Sequence, residues 1–152
     1  MATQRTLVIV KPDAMQRGLA TEILGRIERR GLRFAGLKVM QITPELAGRH
    51  YAEHQGRPFY AGLVSYMTSF PVIVAAVEGH EAIASVRQLM GATRPGEATP
   101  GTIRADYGLT VDFNLIHGSA NEADAARELD LFFSASELVG YERVIDAWIA
   151  KA

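Results

Sequence analysis

Pro58–Val77 reads PFYAGLVSYMTSFPVIVAAV, a stretch without a single charge. How it divides decides the fold. Unbroken, it has the length of a membrane span. Ser65, Thr68 and Ser69 interrupt it, however, and Pro71 splits it, since proline breaks a helix ladder. The reading is a buried helix from Pro58 to about Met67, a turn, and a buried strand over Val72–Val77. A membrane span is not expected. A strand apolar on both faces, VIVAAV, belongs inside a sheet, so the rest of the chain must supply partners and cover.

It does so in both directions. Thr6–Val10, TLVIV, is a β-branched run that reads as a central strand. Leu19–Arg30 is a helix with Leu19, Ile23 and Ile27 on one face. Arg26, Arg29 and Arg30 sit at its negative end, and Gly31 stops it. Arg33–Ile42 is a second strand, and Pro44 to about His54 a helix with proline in its first turn. Glu81–Met90 is a helix with Ile83, Val86 and Met90 inward. Gly91–Gly101, GATRPGEATPG, is a long irregular loop of the kind that often carries function. A fourth strand is expected over Val111–Ile116 and a helix over Asn121–Phe133, with Ser119-x-x-Glu122 as capping box. Ser134-x-x-Glu137 repeats that signature before a last short helix, and the tail from Tyr141 to Ala152 is amphipathic. Without the extra helices the order is βαββαβ. That is the ferredoxin-like α/β (α+β) sandwich, a four-stranded antiparallel sheet with helices expected over one face.

The bulk numbers bound the function. At 152 residues the chain is expected to be one domain, residues 1–152, able to bury a proper core. A net charge of −1 argues against nucleic acid as the main partner. With no cysteine, thiolate chemistry and disulfides are excluded. The N-terminal aliphatic run is too short for a signal-peptide core. A cytoplasmic location is expected.

The usual phosphate loops are missing. The nearest approach to GxxxxGK[ST] is Gly91–Gly96, GATRPG, followed by Glu97 and Ala98. No GxGxxG follows a strand. Any phosphate must therefore be held by individual side chains. Lys11 at the end of the first strand, Arg87 on the border of its helix's apolar stripe, Thr93 and Arg94 in the long loop, and Arg104 beyond it could do so. Singly, each also reads as a surface or snorkelling group.

Glu128 says more. It aligns with Ala125 and Phe132 on the apolar face of its helix, where an unpaired carboxylate is costly. His117, in Asn114–Glu122, NLIHGSANE, is a fitting partner: a carboxylate on one imidazole nitrogen fixes the tautomer and leaves the other free to attack. A glutamate reaching solvent from the helix edge is the competing reading. Gly118 would leave an electrophile room to approach the imidazole. His50 and His54 have a metal-ligand spacing but no HExxH and no third ligand, so no zinc site is expected there. His80 reads as surface. Phe59 and Tyr60 read as core.

Together, Lys11-Pro12-Asp13, His50-Tyr51, Arg57-Pro58-Phe59, Pro100-Gly101-Thr102-Ile103-Arg104 and Asn114-x-x-His117-Gly118-Ser119 resemble, in that order, the motifs of the nucleoside diphosphate kinases. The resemblance covers nearly the whole chain. It implies transfer of a γ-phosphate from a nucleoside triphosphate to a diphosphate in two steps through a phosphohistidine on His117, oriented by Glu128. Arg87, Thr93 and Arg104 would hold phosphates. Lys11 and Asn114 would contact the sugar hydroxyls, with Lys11 also near phosphate, and Tyr51 would position Lys11. Phe59 would stack on the base with Val111 opposite, giving broad base tolerance. Magnesium would be held mainly by the nucleotide phosphates. The partners implied are nucleoside tri- and diphosphates and further copies of the chain, a hexamer in preference to a tetramer. The chain departs from the family pattern at Ala120 (usually Asp), Ala14 (often Gly) and Phe70 (usually Gly), none of them a residue given a catalytic role. Two other readings stay open: a nucleotide-binding module without turnover, and a single-strand nucleic-acid binder, which would show affinity independent of His117.

Overall fold

The computed structural model describes residues 3–151. Its sheet has four strands in the order β2-β3-β1-β4, every pair antiparallel. The strands are β1 (Thr3–Val10), β2 (Arg33–Met40), β3 (Val72–His80) and β4 (Ile116–Gly118). The helices are α1 (Pro12–Gln16), α2 (Ala20–Arg29), α3 (Pro44–His50), α4 (Tyr60–Met67), α5 (Ala82–Met90), α6 (Ile103–Tyr107) and α7 (Glu122–Phe132). Single 3₁₀ turns fill several connections. No helix among the described residues is long and apolar enough to cross a membrane. The charge-free stretch divides as its proline dictates, with α4 on one side of Pro71 and β3 on the other.

Helices cover both faces of the sheet, not one. Leu7, Val8, Ile9 and Val10 are all fully buried. The strand pleat sends Val8 and Val10 into a core with Ile23 and Ile27 of α2 and Val86 and Met90 of α5. Leu7 and Ile9 enter a second core with Ala47 of α3, Met67 of α4 and Phe132 of α7. Each such aliphatic contributes about 1.5–3 kcal/mol on burial. The VIVAAV run has no polar face because both faces of β3 are covered, with Ile73 alone of the six partly exposed.

The fourth strand lies later than its apolar residues suggest. Val111–Phe113 forms a 3₁₀ turn, and β4 spans only Ile116–Gly118. Leu115 is the cause: it takes a left-handed conformation, φ 76°, rare for a branched residue, which reverses the chain just before the strand. The expected Ser119–Glu122 box is also absent. Asn121 caps α7 by accepting from the Asp124 N–H at 2.8 Å. Ser119, fully buried, bonds elsewhere. The Ser134–Glu137 box forms, over a 3₁₀ turn. The chain from Pro44 breaks at His50, so His50 is buried while His54 lies in a 3₁₀ turn.

Candidate active site

Residue 117 sits inside β4, opposite Ile9 of β1. Alternation turns its imidazole toward α7, where Glu128 Oε1 lies 2.8 Å from Nε2. The same oxygen accepts from the Ser119 hydroxyl at 2.7 Å. Ser119 in turn accepts the Leu7 N–H at 3.2 Å, tying the pair to the central strand. Burial raises the Glu128 carboxyl's pKa, but the bonds from His117 and Ser119 outweigh it and the net shift is downward. An ionised carboxylate only accepts, so Nε2 carries the hydrogen and Nδ1 keeps its lone pair.

Gly118 has a different purpose from the one expected. A Cβ there would meet Met90 Sδ at 2.6 Å and Val86 Cγ1 at 2.9 Å. Its missing side chain lets β4 close onto α5; it does not open a path in front of the imidazole.

Two basic groups are built into the floor. Lys11 is 9% exposed, and its Nζ donates to Asn114 Oδ1 at 2.8 Å. Asn114 Nδ2 donates to the Thr93 carbonyl at 3.1 Å, linking β1's end to the long loop. Burial, with Arg104 nearby, lowers Lys11 to about 8. Arg104 is 5% exposed and donates to the carbonyls of Asn114 (3.1 Å), Gly91 (3.2 Å) and Ile116 (2.6 Å). It therefore clamps the strained Leu115 turn from both sides. Burial and Arg87 lower it to about 10, so it stays charged at neutral pH. Arg87 is exposed and donates to the Gly118 carbonyl at 3.1 Å. Tyr51 is buried against the His50 ring, and burial raises its hydroxyl pKa. Phe59 (53% exposed) and Val111 (37% exposed) lie at the surface, not in the core. Thr93 and Arg94 are exposed in the loop.

Sequence reasoning missed Ser119's second role, because its spacing also suited a cap. It also missed His50, which lies beside His117 with ring centroids 5.0 Å apart. Ala47 and His50, three apart on one helix face, were the available signal for that burial.

A carboxylate-held histidine, next in the chain to the Ile116 carbonyl that buried Arg104 grips, suits chemistry on phosphate groups. The sequence profile of the nucleoside diphosphate kinase family matches residues 4–138. A nucleoside diphosphate kinase from Thermomicrobium roseum is 57% identical over 146 residues, covering 96% of this chain and 98% of that one. The solved halophilic nucleoside diphosphate kinase from Halobacterium salinarum, in complex with CDP, superposes with a TM-score of 0.96 at 50% identity, covering 99% of this chain and 100% of that one. That from Aquifex aeolicus gives 0.88 at 42%, covering 91% and 100%. The chain belongs to the nucleoside diphosphate kinase family and is an enzyme of that kind.

Proposed function

We propose that this enzyme works by double displacement through His117. The observation that carries this reading is the His117–Glu128–Ser119 chain, which holds the imidazole with Nδ1 free. The Nδ1 lone pair attacks the γ-phosphorus of a nucleoside triphosphate. A P–N bond forms, the bond to the β–γ bridging oxygen breaks, and the diphosphate leaves with that electron pair. The Nε2–H stays with Glu128, which stabilises the positive charge the ring gains. A second diphosphate then attacks the same phosphorus through its terminal oxygen, and the P–N bond breaks.

Arg87, Thr93 and Arg104 neutralise and position the phosphates, and Lys11 and Asn114 take the sugar hydroxyls, with Lys11 also near phosphate. Positioning and charge neutralisation supply most of the rate in such transfers. Tyr51 packs behind this group as a positioning residue. Phe59 and Val111 take the base between them. A base held only between these apolar side chains would be read at no edge, giving broad nucleotide tolerance. The bound CDP of the Halobacterium salinarum relative favours the same class of ligand here.

Magnesium enters on the nucleotide. Among the described residues, the three-donor set of histidines and carboxylates is His50, His117 and Glu128, which holds two imidazoles and suits a hard, oxygen-seeking ion poorly. Phosphate oxygens and water fit it better. Bound there, it offsets phosphate charge.

The enzyme acts in the cytoplasm as a homo-oligomer, a hexamer before a tetramer. Exposed apolar residues support assembly: Val39 (65%) on the edge strand β2, and Val144 (93%) and Trp148 (89%) in the tail. Initial-rate kinetics test the mechanism. Parallel double-reciprocal lines, and isotope exchange between ATP and ADP without a third nucleotide, are expected. Intersecting lines without exchange would point to direct transfer in a ternary complex.

A further inference from the structure

Behind the candidate nucleophile lies a group that its proposed chemistry does not use. His50 is 4% exposed, and neither ring nitrogen has a hydrogen-bond partner. Burial, with His117 beside it, lowers His50 to about 3, so the ring is neutral and both a lone pair and an N–H go unsatisfied. Its neighbours are the rings of Tyr51, His117 and Phe132. One donor atom each from His50, His117 and Glu128 lie within 4.8 Å of one another. These come from three elements, α3, β4 and α7, so sequence spacing hides the set.

We infer that His50, His117 and Glu128 form a site for a borderline-soft divalent cation of the zinc class, and that its occupation silences the enzyme. Two neutral imidazoles and a carboxylate, with a fourth position left open, are a donor set that zinc accepts readily. A tetrahedral zinc with bonds of about 2.0–2.1 Å spaces its donors about 3.4 Å apart. His50 must close on the other two by little more than about 1 Å, while His117 Nε2 and Glu128 Oε1, 2.8 Å apart, open slightly. The carboxylate keeps its charge, and the Nε2 hydrogen of His117 passes through solvent to Nδ1 as the ion enters, so the ring changes tautomer and not charge. Magnesium, which prefers oxygen and keeps its water, does not compete there. The ion takes His117 and Glu128 out of their mutual bond and withdraws electron density from the imidazole. The consequence for turnover rests on the proposed role of His117; binding itself does not.

The test uses the full-length protein and two variants, His50→Gln and His50→Phe. Zinc binding is measured by equilibrium dialysis without nucleotide, and cobalt(II) absorption reports a tetrahedral site. Kinase activity in excess magnesium is then titrated with zinc, each protein normalised to its own zinc-free rate. The wild type is expected to bind one ion per chain and to lose activity in step with occupancy, reversibly on chelation. Both variants are expected to bind at least tenfold more weakly, with inhibition curves shifted by the same factor. The proposal fails if the wild type takes up no stoichiometric ion, or if either folded variant binds and is inhibited like the wild type. Stoichiometric binding lost in both variants, without an effect on wild-type turnover, would leave the site standing and overturn its silencing role. It would also count against His117 as nucleophile.

Discussion

The buried wall and the exposed lip of the proposed site are built on opposite terms. On the wall, Lys11, Arg104, Asn114, Ser119 and Glu128 are at most 9% exposed, and each is hydrogen-bonded within the protein. At the lip, Phe59, Val111 and Phe113 expose 53%, 37% and 55% of their surfaces to solvent. The wall is organised before any ligand arrives, so little reorganisation is left for the reacting step. The lip is an exposed apolar surface, where the proposed function puts the base. Rate should therefore depend on the wall and binding on the lip.

Substitutions can break that division. Among the wall residues the largest effect should come from Arg104→Ala, which removes a buried charge and the clamp on the Leu115 turn. A loss of about 10²–10³ in kcat is expected. Arg104→Lys should recover little of it, because a point ammonium cannot span three carbonyls. Full activity in Arg104→Lys would show that charge alone matters. Next comes Glu128→Gln, which should cost about 10–100-fold in kcat with KM nearly unchanged, by analogy with partners that orient a reactive histidine. A change confined to KM would move Glu128 from the wall's logic to the lip's.

The pH profile sharpens the comparison. Lys11 carries its charge below about 8 and loses it above, because burial and Arg104 disfavour the ammonium. kcat/KM, which reports the free enzyme, should fall as pH rises through about 8. Bound phosphates favour the charged form, so the kcat limb should lie higher. Coincident limbs would mean that nucleotide charge does not reach Lys11. The smallest effect belongs to the lip. Phe59→Ala should raise KM for all nucleotides by about 3–10-fold, the worth of one aromatic contact, and leave kcat within about twofold. A selective loss for purines or pyrimidines would contradict the tolerant slot.

Much of this was legible in the sequence, for reasons that differ by element. The βαββαβ order, the central strand at Val10 and the split at Pro71 follow from local patterning, and all three stand. Glu128 was readable because a carboxylate on an apolar helix face needs a partner, and His117 is that partner. Other features depend on where distant segments meet. Helices were expected over one face only; the second is covered by α3, α4 and α7, whose packing no single run encodes. The backbone reversal at Leu115, held by Arg104 from another element, moved the fourth strand along the chain. Ser119 satisfies a capping pattern, yet burial beneath Glu128 gives it a different partner. Gly118 is small because Met90 lies against it, a contact across elements that local spacing does not encode.

The central claim is that His117 carries phosphate on Nδ1 between two nucleotides. The direct measurement incubates the enzyme with magnesium and γ-labelled ATP, without acceptor, beside His117→Ala. Wild type should gain an acid-labile, base-stable label that added GDP removes, and His117→Ala should gain none. Label persisting on His117→Ala, or steady-state turnover in a wild type that never becomes labelled, would contradict it.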